Sequence, residues 1–427
     1  MKKHNRWIDF LIFGVIIAMS VSLLYYSGSH QADTAADDTY NGHTAITFGW
    51  WGNDERHVYT LKGVDLFEQE NRDITVDCQY SVWSGYEHRY RIYMRSGTEP
   101  DVMLVNYNWL SEYSADGTGY YDLNELSDII DLSGFTKEDL ACGTVSGRLN
   151  ALPTAYNAVV FYYNQDILDR YNLPVPQTWD DLAAAAAAMY EDGITPLYLN
   201  EKHLFFLINA HYEQTEGKEI FNADGDYIGG EEAARAFLSF YKNLVDLHII
   251  RPMDESNANN FTSGKTAGAA CWASDASRYC DSMVNQGYTM VPGKPIRISE
   301  SNRTGWYIKP ATMYAIRKDT LHPEEAGKLL NFLLNDPDMA QLQGLEKGVP
   351  VSQKARDALT DTELQEGFSA EAGNAILKNR AQYKMMNPFL ENENVIRIFH
   401  EEAAMYLYGK EDLETAAEQL ASRWSAA

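Results

Sequence analysis

The sequence predicts an α/β protein whose sheets are mostly parallel and are covered by helices on both faces. Two observations lead there. Strand-like and helix-like segments alternate through residues 46–106, the pattern of repeated βα units. Aromatic clusters also recur just after the predicted strands, at Trp50-Trp51, at 80–83 and at 106–109. Ligands of such sheets bind beyond the carboxyl ends of the strands, so the three clusters point at one edge.

Each element has its own signal. Residues 46–50 form a short strand ending in the tryptophan doublet. Residues 59–70 read as a helix with Leu61, Val64, Leu66 and Phe67 as apolar positions. Residues 74–80 alternate with period two. Residues 85–96 form a polar-aromatic helix, and 101–106 a buried strand whose leading Asp101 fixes a turn. A second unit begins with the strand at 159–163. Thr178 is placed to cap a helix, Asp180 and Asp181 suit its positive end, and the alanine run 183–188 continues it. Asp224-Gly225 marks a hairpin turn within 222–227. Residues 231–246 are amphipathic. Pro323 opens a helix with an apolar stripe of Ala326, Leu329, Leu330 and Leu333. The segment 395–424 reads as helical throughout.

At 427 residues the chain is long enough for two or three domains, or for one large bilobed body. Its 61 acids against 35 bases give a net charge of −26. Such a surface repels nucleic acid and anionic lipid, which makes both poor partners. An anionic small ligand stays open, because a local arginine or histidine inverts the sign within a cleft. Cys78, Cys142, Cys271 and Cys280 show no C-x-x-C spacing, which excludes common zinc and redox motifs. A bridge between Cys271 and Cys280 stays open for an exported chain. Lys2, Lys3 and Arg6 precede an apolar run at 10–26, which predicts a signal peptide or membrane anchor over 1–26 and export of the remainder. The polar stretch 27–43 reads as a flexible linker.

Apparent catalytic motifs fail on inspection. Gly264-Lys265-Thr266 ends like a phosphate loop, but Asn259 stands where its first glycine is needed. Asn222, Asp224 and Asp226 have calcium-loop spacing, but Tyr227 and Ala233 occupy the required glycine and glutamate positions. No carboxylate pair, nucleophile elbow or metal-ligand spacing emerges. No cofactor, no metal and no catalytic residue are expected. The doublet Trp50-Trp51, followed by Gly52 and a polar string, instead suits a ligand that is apolar on its faces and polar on its rim, such as a sugar ring.

Several phrases in order carry a resemblance over nearly everything after residue 44. They are Trp50-Trp51-Gly52 with Arg56-His57, then 81–86 (SVWSGY), and 97–102 (GTEPDV). Tyr162-Tyr163-Asn164 with Pro176-x-Thr178-Trp179, Phe261-x-x-Gly264-Lys265-x-Ala267, Lys309-Pro310 and 344–350 (GLEKGVP) complete the set. The chain resembles the sugar-binding class of extracellular solute-binding proteins that serve ABC importers. Its opening phrase is similar to a subgroup that binds plant-wall oligosaccharides, including pectic ones with uronic acids. The resemblance implies a two-lobed periplasmic-binding-protein-like fold with a hinge of crossing strands. It places one lobe at 44–152 with 310–346 and the other at 153–309 with 347–427. It also implies an oligosaccharide ligand in the cleft, ABC permease subunits as partners, an extracytoplasmic location and a monomer. The family's lipid-modified cysteine is replaced by Ser29, so the chain is either held by an uncleaved apolar segment or cleaved and secreted.

By matching position, Trp50, Trp51, Trp83, Trp109, Trp272 and Trp306 are candidates to stack on sugar, with Tyr107 and Tyr156. Arg56, Asn157, Asp275 and Glu346 are candidates to hydrogen-bond it, Arg56 with a uronate carboxylate or else in a structural salt bridge. A membrane-tethered glycoside hydrolase or lyase, and a sugar-sensing co-receptor, are the alternative readings.

Overall fold

A computed structural model describes residues 39–40, 43–298, 303–359, 367–379 and 383–427. The expected anchor and nearly all of the expected linker lie outside these residues. Among the described residues no helix is long and apolar enough to cross a membrane.

The first half follows the predicted alternation. Strand β1 (His43–Trp51) leads into helix α1 (Asp54–Glu70), where the Asn53 side chain caps the Arg56 amide at 2.9 Å. Strand β2 (Ile74–Ser81), helix α2 (Trp83–Ser96) and strand β3 (Val102–Val105) follow. Gly97 ends α2 in the left-handed conformation, φ +65°. Asp101 ties the strands together: its Oδ2 accepts from the Thr47 amide at 2.8 Å and the Thr47 hydroxyl at 2.7 Å. Strands β4 (Ala151–Pro153) and β5 (Tyr156–Asn164) are nearly continuous.

The second half holds helices α3 (Trp179–Met189), α4 (Glu201–Glu216), α5 (Gly230–Asp246) and α6 (Ala276–Val284). Its strands are β6 (Thr195–Tyr198), β7 (Thr266–Trp272), β8 (Met290–Gly293), β9 (Tyr307–Pro310) and β10 (Met313–Ile316). Helices α7 (Pro323–Asn335), α8 (Pro337–Gln343), α9 (Gln353–Ala358) and α10 (Phe368–Lys378) follow, then β11 (Lys384–Met385), α11 (Glu393–Leu407) and α12 (Leu413–Ser425). The expected single helix over 395–424 is therefore two. Gly409, at φ +66°, turns the chain between them.

The strands make two six-stranded sheets. In the first, β1 pairs in parallel with β2 and β3, and β10 lies antiparallel to both β3 and β4. In the second, β5 pairs antiparallel with β7, β8 and β9, while β6 on β7 and β11 on β9 are parallel. Both sheets are thus mixed where mostly parallel sheets were expected. The antiparallel pairs of the first sheet come from β10, the return strand, and from residues Thr39–Tyr40, which add a sixth, two-residue strand against the start of β1. In the second they all involve the long β5. Each sheet packs its own interior, Phe48, Leu104 and Tyr314 in one and Phe161, Phe205, Phe237 and Phe399 in the other.

The two lobes are joined by strands that change sheets. Chain from β4 passes through Thr154-Ala155 into β5, and chain from β9 passes through Ala311-Thr312 into β10. The crossings bond to each other: the Thr154 amide donates to the Thr312 carbonyl at 3.0 Å, and the Ala311 amide to the Ala155 carbonyl at 2.7 Å. The Thr154 and Thr312 hydroxyls lie 2.7 Å apart. The Val351 amide also donates to the Thr154 carbonyl at 3.0 Å. Such a narrow backbone hinge lets packed bodies rotate with little internal change. Cys271 and Cys280 are both buried free thiols.

Candidate binding cleft

A cavity of about 890 Å3 opens between the lobes, at the upper end of the range for small-molecule sites. One wall comes from the loop after β1, the start of α2 and the turn after α8. The other comes from the ends of β7 and β9 and the starts of α4 and α6. Trp51, Arg56, Trp83, Asn157, Trp272, Asp275 and Glu346 all line it, although they are separated by up to 295 positions in sequence.

The other five candidates do not line this cavity. Side chains alternate along a strand, so Trp50 faces away from Trp51. It is fully buried, stacks on Tyr80 at 4.8 Å, and donates from Nε1 to His57 Nδ1 at 3.2 Å. Tyr107 is buried within the first lobe. The Tyr156 hydroxyl is turned into the first lobe, where it donates to Asp139. Trp306 is buried edge-on to Phe161 in the second core, with Nε1 donating to the Ile296 carbonyl at 2.7 Å. Trp109 acts from behind: it stacks under Trp83 at 5.6 Å and on Tyr90 at 4.2 Å. Trp83 is the outer plate of that column. Trp51, meeting it edge-on at 5.0 Å, is only 8% exposed. Trp83 therefore presents more ring to a ligand than Trp51 does. Trp83→Ala is expected to weaken binding of a sugar ligand about tenfold, taking the roughly 1–3 kcal/mol of a nucleobase stacked on an aromatic ring as the guide. Unchanged calorimetric affinity would remove the ring from the site.

Charge inside the cleft runs against the charge of the chain. Five cationic side chains, Arg56, Lys202, Arg278, Lys309 and Lys347, line it against Glu55, Asp275 and Glu346. Sequence reasoning missed four of the five. Lys309 is buried on β9 with its Nζ 4.9 Å above the Trp272 ring. It forms an ion pair with the buried Glu391, which also holds Lys202 at 3.1 Å. Burial works against the Glu391 charge, but the two ammonium groups overcome it and hold the carboxyl at about 2. Two cations thus share one carboxylate at the cleft wall.

Lys347 is different. Gly344 and Gly348, both at positive φ, turn the chain on either side of it. Its side chain is buried, donates to the Tyr314 hydroxyl, and has no carboxylate within 4 Å among the described residues. Burial, reinforced by the neighbouring Arg56, brings the amine down to about 7. Arg56 donates to the Glu346 carbonyl at 2.8 Å, while its Nε is buried without a partner. Glu346 turns only its backbone to this arginine, and burial together with Glu55 pushes its carboxyl upward. A buried ammonium with no counter-ion, beside a half-buried guanidinium, is costly for the empty protein and favourable for an anion that enters. Among the described residues no cluster of His, Cys, Asp and Glu could hold a metal ion.

Known proteins share this architecture. An oligogalacturonide-binding periplasmic protein from Yersinia enterocolitica, solved with saturated digalacturonic acid, is 30% identical; the match covers 90% of this chain and 98% of that one, with a TM-score of 0.81. A periplasmic solute-binding protein from Pectobacterium atrosepticum is 28% identical over the same shares, with a TM-score of 0.83. The galactooligosaccharide-binding protein of Bacillus subtilis is 22% identical over 351 residues, 79% of each chain. Residues 54–340 match the family described as bacterial extracellular solute-binding protein. With two lobes, crossing strands and a cleft between them, the chain belongs to that family of bacterial extracellular solute-binding proteins.

Proposed function

We propose that the protein captures an acidic oligosaccharide, one bearing uronate units, between its lobes outside the cytoplasmic membrane and delivers it to an ABC importer. The observation that carries the reading is the pair of unneutralised cations, Lys347 and Arg56, in a cleft that also offers Trp51, Trp83 and Trp272. Aromatic faces suit sugar rings, and a guanidinium beside a buried ammonium suits a carboxylate. The digalacturonate complex of the 30% identical relative supports the same ligand class. The lobes divide at Thr154-Ala155 and Ala311-Thr312. The segment 350–359 is assigned to the first lobe, because α9 packs on α8. Closure about the hinge buries the ligand, and permease subunits read the closed form. The apolar segment 10–26 tethers the protein to the membrane.

Calorimetry with digalacturonate and with neutral galactobiose tests the reading. The acidic sugar is expected to bind tightly and the neutral one at least tenfold more weakly, with no reducing ends released. The affinity should also fall with pH. The ligand carboxylates stay ionised from pH 6 to 9, whereas the empty protein loses the Lys347 proton above about 7. Binding above that point must take up a proton, so affinity drops by up to about tenfold per pH unit. Equal affinity at pH 6 and 8.5, or preference for the neutral sugar, would overturn the assignment.

A further inference from the structure

The cleft has a second chamber. A cavity of about 500 Å3 adjoins the first and shares Trp83, Asn106 and Lys202 with it. Its walls also come from both lobes, from α2 and the start of the 109–113 helix on one side and from the 391–397 segment on the other. The two chambers are opposite in character. In the second, every cation is already matched: Arg91 holds Glu87 at 2.6 Å and reaches Glu393 across the cleft at 3.6 Å, Arg397 pairs with Glu401, and Lys202 with Glu391. Glu112 has no cation within 4 Å among the described residues. Burial and the nearby Glu87 push the Glu393 carboxyl upward.

Polar groups at the passage suit hydroxyls instead. Asn106 is buried, its Oδ1 accepts the Tyr107 amide at 3.1 Å, and its Nδ2 makes no hydrogen bond among the described residues. Asn108 Oδ1 is buried without a partner. Asn106 Nδ2 thus offers a donor to a space walled by carboxylates, and the hydroxyls of a neutral sugar unit can accept from it.

We propose that the cleft reads an oligosaccharide of mixed charge, with uronate in the chamber of Arg56 and Lys347 and an uncharged unit beyond Trp83 in the chamber of Asn106, Asn108 and Glu112. The inference rests on the acidic-oligosaccharide reading and extends it to the pattern of charge along the ligand. A uronate whose carboxyl is methyl-esterified is one such uncharged unit. A third carboxylate entering beside Glu393 and Glu112 would be repelled.

Calorimetry with trigalacturonate and its two terminal monomethyl esters tests this. One ester, the isomer that carries its neutral unit past Trp83, is expected to bind at least fivefold tighter than trigalacturonate, and the other more weakly. Glu112→Gln, at an exposed position, should shrink that gain at least twofold. Two esters that both bind no tighter than trigalacturonate would overturn the inference, as would a gain unaffected by Glu112→Gln. Failure of digalacturonate itself to bind would instead overturn the functional reading on which the inference stands.

Discussion

Replacing Lys347 by methionine should stabilise the protein and abolish capture of acidic sugar. The two effects have one cause. Methionine fills much of the same volume without a charge, and the wild-type amine is buried with only the Tyr314 hydroxyl as partner. The folded amine sits near 7, below the ordinary lysine value of 10.5. Below pH 7 the amine is protonated folded and unfolded alike, so the folded state bears the whole burial cost. Between pH 7 and 10.5 the folded form is increasingly neutral, and that cost shrinks. Lys347→Met should therefore add about 1–4 kcal/mol at pH 6 by urea denaturation, and less at pH 9. Affinity for digalacturonate should fall at least a hundredfold, the loss of about 2.7 kcal/mol. A variant that is stabilised yet binds normally would remove Lys347 from the site.

Glu391→Gln has the opposite stability sign. It leaves Lys309 buried with no counter-ion, and removing one partner of a buried pair costs about 3–5 kcal/mol. The folded carboxyl sits near 2, below its ordinary 4.5. Its contribution is complete above about pH 4.5 and disappears as pH falls through 2. The defect should thus be full at pH 7 and fade near pH 3, read by denaturant unfolding of the second lobe. Removing both charges, with Lys309→Met added, should recover most of the loss. A Glu391→Gln protein as stable as wild type would show that water or another group neutralises Lys309.

The sequence made the backbone readable because period and punctuation agree locally. Helix α5, expected over 231–246, is found at Gly230–Asp246, and Pro323 does open α7. The break between α11 and α12 was missed, since the apolar period continues across Gly409. Seven of the twelve candidate site residues line the first chamber of the cleft, and Trp109 lines the second. The other four were chosen by residue type and position, and type does not say which face of a strand or helix a ring takes. Trp50 and Trp51 differ by one residue and point to opposite sides. The lysines were the larger omission. Lys309 stands in the apolar strand 307–310 and Lys347 between two glycines, a buried-lysine signal that phrase matching passes over.

The second core is closed by its latest residues. Trp424 on α12 is buried there, stacked on Phe399 at 6.4 Å, and its Nε1 donates to the Val395 carbonyl at 3.0 Å. That core begins with β5, whose first residue precedes Trp424 by 268 positions. A ribosome adds about 5–20 residues per second, so the half-made lobe waits roughly 10–50 s for its final helix. During that wait the nascent chain keeps apolar surface uncovered and stays pliable. A polypeptide bound for a narrow secretion channel, which admits only unfolded chain, gains time to be threaded before its own folding would jam the passage.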